Sequence, residues 1–149
     1  MLFLETISPD NWRIDLRVKE DQQSYVASKA AILARAYAYR NYRSQAFFIY
    51  ESQNPVGICL YYDNEKENAY ILSQFFIDYR YQGKGYGDEG LKLIIEKIKA
   101  DGRYNKILLC YIDKDLPAKK LYEKHGFVLT GQRDEDEIEM ELFLRQVRK

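Results

Sequence analysis

Gln82-Gly83-Lys84-Gly85-Tyr86-Gly87 stands between an apolar, aromatic run, Ala69 to Asp78, and a segment in which Leu91, Ile94, Ile95 and Ile98 follow helical spacing. The first reads as a strand and the second as an amphipathic helix, so the glycines occupy a strand-to-helix turn. Three glycines at alternate positions let the backbone bend sharply and approach a ligand without side chains intervening. Backed by the positive end of a helix, the N–H groups of Gly83, Lys84, Gly85, Tyr86 and Gly87 can converge on one anion, and the Lys84 ammonium adds charge. Such a pyrophosphate cradle suits CoA or a dinucleotide. A purely structural turn is the bland alternative, and turn geometry alone does not demand three spaced glycines. The string Gly85-Tyr86-Gly87-Asp88-Glu89-Gly90 also matches G-x-G-x-x-G, with Asp113 about 20 residues on, where a dinucleotide fold carries its ribose-binding acid.

The elements on either side weigh against a dinucleotide fold. Upstream, Phe3 to Ile7 reads as a strand. Ser8-Pro9-Asp10 supplies an N-cap, a first-turn proline and an acid, predicting a helix through Trp12 and Leu16. Ser24 to Tyr42 predicts a second helix from the spacing of Val26, Ala30, Leu33, Ala34 and Tyr37. Ala46 to Glu51 and Val56 to Tyr62 form a hairpin signal around Ser52-Gln53-Asn54-Pro55. Downstream, Gly102 stops the helix and Lys106 to Asp113 reads as a strand, so strand, helix and strand form a crossover with two parallel neighbours. Pro117 to Gly126 predicts a short helix, Phe127 to Thr130 a strand, and Gly131 to Asp136 a polar turn. Ile138, Met140, Leu142 and Leu144 then alternate with Glu137, Glu139, Glu141 and Phe143 in a half-buried final strand. A dinucleotide fold starts at its glycine-bearing strand and continues with further βα units, for which this chain has no room.

A length of 149 residues suits one domain over 1–149, and 46% hydrophobic with 15% aromatic residues suffices for a core. Lys plus Arg balance Asp plus Glu at 23 each, which gives no field to attract nucleic acid or an anionic membrane. A small-molecule partner is the expectation. No apolar run approaches the roughly 20 residues of a membrane span and the N-terminus has no basic, cleavable leader pattern, so the expected location is cytoplasmic. Cys59 and Cys110 match neither a disulfide framework nor a metal site and are expected to be reduced core residues; no metal is expected. His125, before Gly126, reads as a helix-end residue. Glu20, Asp21 and Asp78 are acids that could attract a polycation, and Asp134 to Glu137 an acidic hairpin tip that could border the active site of a paired subunit.

Arg80-Tyr81-Gln82-Gly83-Lys84-Gly85 resembles the R/Q-x-x-G-x-G/A acyl-CoA signature of the GNAT acetyltransferase superfamily. Leu121-Tyr122-Glu123-Lys124-His125-Gly126-Phe127 resembles its later L-Y-x-x-x-G-F motif, in family order and spacing. More narrowly, Phe75-Phe76-Ile77-Asp78, Gln23-Ser24-Tyr25-Val26-Ala27 and Pro55-Val56-Gly57 look like bacterial spermine/spermidine acetyltransferases. The resemblance implies an α/β (α+β) fold: a mixed, mostly antiparallel sheet whose central parallel pair is splayed at the acetyl-CoA site, flanked by about four helices. It also implies acetyl-CoA as co-substrate, a small amine (most directly a polyamine) as acceptor, and a homodimer. By position, the backbone of Phe75, Phe76 and Ile77 pairs with the pantetheine arm, Gln82 to Gly87 hold the pyrophosphate, and Tyr122 is the general acid. Asp115 stands where the family carries a cofactor-binding Asn. Ser73 stands where polyamine acetyltransferases carry a carboxylate near the amine, with Tyr25 also on the substrate side. Phe76 or Ile77 supplies an N–H for the oxyanion. The two departures leave open a CoA-binding module without catalysis, and the glycines alone leave open a dinucleotide-binding protein.

Overall fold

Seven strands form one sheet in the order β1-β2-β3-β4-β5-β7-β6 in the computed structural model, which describes residues 1–144. In chain order they are β1 (Leu2–Thr6), β2 (Gln45–Glu51), β3 (Asn54–Asn64), β4 (Ala69–Ile77), β5 (Lys106–Ile112), β6 (Val128–Asp134) and β7 (Glu137–Phe143). The helices are α1 (Lys29–Ala38), α2 (Tyr86–Asp101) and α3 (Leu116–Lys124). Every neighbouring pair is antiparallel except β4 and β5, which the α2 crossover makes parallel.

That parallel pair joins only at Tyr70↔Ile107 and Ile71↔Leu108. Beyond Ile71 the strands part, and the edge of β4 facing β5 is left without a strand partner. A bulge lies at the parting: Leu60 pairs with Gln74 and Tyr61 with Leu72, so Ser73 is the extra residue. An extra residue bends a strand and increases its twist, turning the end of β4 away from β5. Gly57 lies opposite Ile77, and a Cβ there would sit 2.6 Å from the Phe76 carbonyl oxygen. Only glycine lets β3 press this close to the end of β4.

Alternation along the strands sends side chains into two layers. Tyr70, Leu72, Phe75 and Ile77 meet Leu91, Ile94 and Ile98 of α2, Tyr122 of α3, and Ile107, Leu109, Tyr111 and Met140. Phe48, Ile58, Leu60 and Phe76 meet Ile32 of α1 together with Leu16 and Val18 on the opposite face. Burying each such side chain contributes about 1.5–3 kcal/mol. Among the described residues no helix packs broadly over the α1 face of β5 and β7. Cys110 lies there and is exposed, whereas Cys59 is buried in the α2 layer, so the core placement expected for both holds for Cys59 alone.

The start signal at Ser8 produces one turn rather than a helix. The Ser8 carbonyl accepts from the N–H groups of Asn11 and Trp12 at 3.2 and 3.1 Å, and Asn11 Oδ1 accepts from the Ser8 N–H at 2.7 Å. From Ile14 to Lys19 the chain has no regular helix, and it carries Leu16 and Val18 into the core; tertiary burial overrides the local signal. The second predicted helix is shorter than Ser24 to Tyr42 because Ser28 caps α1, its Oγ accepting from the Ala31 N–H at 3.1 Å. The described residues therefore hold three α-helices rather than about four. β6 also runs to Asp134, past the turn expected from Gly131, and Glu135 (φ 54) makes the reversal. No helix among the described residues is long and apolar enough to cross a membrane.

Candidate active site

The strand-to-helix turn is anchored by Asp78, which is fully buried. Its carboxylate accepts from the Arg17 N–H at 3.0 Å and from Arg80 through the backbone N–H at 3.0 Å and Nε at 2.8 Å. Burial alone would raise this carboxyl, but the Arg80 guanidinium and the two N–H donors outweigh it and hold it below the usual range. Asp78 is thus spent on architecture and is not available to attract a polycation. Gln82 ties the next residue down, its Nε2 donating to the Ile77 carbonyl and to Gln22 Oε1, both at 3.0 Å. Gly83 (φ 78) and Gly85 (φ 84) then take left-handed conformations, and Gly85 is the N-cap of α2. The first helical bond runs from the Glu89 N–H to the Gly85 carbonyl at 3.1 Å, so the N–H groups of Gly85, Tyr86, Gly87 and Asp88 have no partner among the described residues. Lys84 stands exposed on the crest. The two acids nearby are engaged elsewhere: Asp88 with His125 Nε2 at 2.7 Å and Lys124 Nζ at 3.1 Å, Glu89 with the Leu2 N–H at 2.7 Å. Lys124 and His125 hold the Asp88 carboxyl below its ordinary value. This pairing also ties α3 to the start of α2.

A cleft of about 490 Å³ opens between this turn, the end of β4 and α3. Phe75, Phe76, Ile77, Gln82, Gly83, Gly87, Asp115 and Tyr122 all line it, which brings seven of the ten residues expected at the cofactor together with the expected general acid; Lys84, Gly85 and Tyr86 are not in its lining. Gly87 has no side chain to fill the space in front of Leu121, 3.7 Å from where its Cβ would be. Tyr122 is 8% exposed and packs edge-on against Phe127 with ring centroids 5.6 Å apart. Burial, reinforced by the Asp115 carboxylate, pushes its hydroxyl well above the usual tyrosine value. Asp115 caps α3, accepting from the Ala118 N–H at 3.3 Å, and burial raises its carboxyl.

On the other side of β4 lies a second cleft of about 240 Å³. Ser73 is at its centre, with Arg35 Nη1 donating to the Ser73 hydroxyl at 3.0 Å, and Tyr25 lines both clefts. The carboxylates of this second cleft are Glu137 and Glu139 of β7. They sit opposite Ile112 and Cys110 of β5, and Glu139 accepts from the Thr130 hydroxyl at 2.8 Å. Burial and these carboxylates raise the Cys110 thiol. The sequence puts Glu137 and Glu139 on the half-buried final strand, with Glu137 also closing the acidic tip, and gives Glu139 no functional role. The available signal was their phase: alternating with Ile138 and Met140, they had to face away from the α2 layer, into whatever faces Cys110. Arg35 had no local signal at all.

The dinucleotide reading does not survive the topology, which has a single parallel strand pair in place of a doubly wound sheet. Asp113, its ribose-binding acid, is exposed and paired with Arg133 at 3.0 Å.

Residues 8–127 match the model of the acetyltransferase (GNAT) family. The chain is 31% identical over 139 residues to the spermine/spermidine N(1)-acetyltransferase of Bacillus subtilis strain 168, covering 88% of this chain and 90% of that protein. The crystal structure of spermidine N-acetyltransferase from Vibrio cholerae in complex with CoA and spermine superposes with a TM-score of 0.78 over 95% of each chain at 19% identity. An aminoglycoside acetyltransferase in complex with coenzyme A gives a TM-score of 0.76 over 96% of this chain and 95% of its own at 13% identity. At those identities the two structures speak for the fold alone, and the family model together with the curated relative carries the assignment: the chain belongs to the GNAT family of acetyltransferases.

Proposed function

We propose that the protein moves an acetyl group directly from acetyl-CoA to a primary amine of a polyamine of the spermine/spermidine type. The observation that carries this reading is the pair of clefts meeting at Tyr25 across the splayed end of β4, one beside unpaired helix N–H groups and the other lined by carboxylates. The name of the Bacillus subtilis relative supports the acceptor class.

In this reading the N–H groups of Gly85 to Asp88, with Lys84, hold the cofactor pyrophosphate. The free edge of β4 at Phe75, Phe76 and Ile77 takes the pantetheine arm as an added strand. Acetyl-CoA supplies the thioester that the amine attacks. An alkylamine with pKa about 10.4 is neutral in only about one molecule in 2,500 at pH 7, a penalty of about 4.6 kcal/mol. Glu137 and Glu139 hold the charged part of the acceptor. The Arg35 guanidinium beside Ser73 disfavours a second positive charge there, which favours the neutral, attacking amine. The N–H of Phe76 or Ile77 stabilises the oxyanion. Tyr122 then gives its proton to the departing thiolate as the C–S bond breaks, and the proton shed by the newly acylated nitrogen returns through solvent to the tyrosinate. Its raised pKa does not disqualify it, because the apolar surroundings raise a thiol as well: Cys59, buried in the same layer, is pushed up to about 12.

We further read residues 1–149 as one catalytic domain working in the cytoplasm as a homodimer. Exposed Val128, Leu129 and Phe143 along the β6 edge support the pairing.

Replacing Tyr122 by Phe tests the catalytic reading. Acetyl-CoA-dependent thiol release with spermidine should fall by about 10²–10⁴-fold in kcat while CoA affinity is retained. Wild-type protein that binds CoA and releases no thiol with any amine would mark a binding module without catalysis.

A further inference from the structure

The acceptor cleft does not end at Ser73. Tyr62 and Ile71 line it and also line a further cleft of about 430 Å³ at the far end of β3 and β4, so these two residues form a wall common to both. The walls of the outer cleft are a run of tyrosines. The Tyr62 ring stacks on Tyr39 with centroids 4.2 Å apart at 14°, and Tyr39 meets Tyr42 at 5.8 Å. Packing accounts for Tyr62, which is half-buried, but not for Tyr42, which is 52% exposed beside the cleft.

The charges of the outer cleft favour a cation at one point. Asp63 is already committed, to Arg43 Nε at 2.7 Å and Arg103 Nη1 at 3.2 Å. Glu65, on the rim, is in no ion pair among the described residues, and Lys66 shares that rim as the opposing charge. Their turn is fixed by the Asn68 N–H donating to the Glu65 carbonyl at 3.2 Å and the Glu67 N–H to Asn64 Oδ1 at 3.2 Å. Aromatic faces bind methylene segments through apolar contact and ammonium groups through the ring quadrupole. A linear polycation alternates these two groups along its length.

We infer that the cleft walled by Tyr62, Tyr39 and Tyr42, with Glu65 on its rim, is a distal subsite that holds the far end of a long, linear polyamine acceptor and sets the preference for acceptor length. The inference rests on the polyamine reading and adds to it a residue set remote from the transfer point.

Steady-state kinetics with a short acceptor, putrescine, and a long one, spermine, test it on full-length protein. In Tyr42→Ala and in Glu65→Gln the ratio of kcat/KM for spermine to that for putrescine should fall by about two- to five-fold, the factor for an exposed cation–π contact of about 0.5–1 kcal/mol. The loss should appear in the spermine KM. Lys66→Gln should move the ratio the opposite way, which a merely damaged fold would not do. Ratios unchanged in all three variants, or putrescine and spermine affected equally, would overturn the subsite while leaving polyamine acetylation standing. Failure of the wild type to acetylate either amine would remove the polyamine reading and this inference with it.

Discussion

In the proposed reaction Tyr122 must keep its proton until the thiolate forms, and its burial favours this across the working range. Because its hydroxyl is raised above the ordinary value of about 10, it stays protonated through neutral and alkaline pH. The amine must lose a proton, so the ionisation that limits the rate belongs to the acceptor. The expected profile is therefore one-sided: kcat/KM for spermidine rises about tenfold per pH unit from pH 6 to 8 and shows no descending limb below about pH 10. An initial-rate series checks this, and a bell with an upper limb near pH 8 would point to a different acid. Residue-scale legibility was uneven. The place of Tyr122 in the cleft was readable only from its motif, since a tyrosine on an apolar helix face is otherwise a common core residue. Asp78 was not, because nothing local says that an acid before a turn will be sealed under Arg80 and the backbone of Arg17.

At the scale of elements, α2 carries the cofactor side of the proposed reaction. It does so through the backbone of its first turn, which Gly83 and Gly85 aim by adopting left-handed conformations. A Cβ at Gly85 would meet nothing within 4 Å, so Gly85→Ala tests conformation without a clash. The substitution costs about 1–2 kcal/mol of backbone strain. CoA affinity should fall by about 10–100-fold as charge-assisted N–H bonds to phosphate are misplaced, with calorimetric titration as the readout. The turn, α2, β5 and α3 were legible because their glycine, proline and apolar spacing act locally. Residues 8–19 were misread for the complementary reason. Their cap at Ser8 is satisfied in one turn, after which burial of Leu16 and Val18 and the Arg17 contact with Asp78 decide the path. The bulge at Ser73 was invisible, since it is a property of pairing between β3 and β4 rather than of either strand.

For the whole molecule, the proposed function depends on one parting in one sheet. The α2 crossover makes β4 and β5 parallel, the bulge at Ser73 separates them, and the separation puts Phe75 to Ile77 between a cleft holding Tyr122 and a cleft holding Glu137 and Glu139. Element order was enough to expect this architecture. The second cleft was largely hidden, because Arg35, Ser73, Cys110 and Glu139 come from four different elements and meet only through the topology. In the proposed function an acetyl group passes from acetyl-CoA to a polyamine across this parting. Mass spectrometry of the products formed from acetyl-CoA and an equimolar mixture of spermidine, a peptide with a free N-terminus and an aminoglycoside tests it directly. Monoacetylated spermidine should form about tenfold faster or more than either other product; acetylated peptide or aminoglycoside with spermidine left unmodified would contradict it.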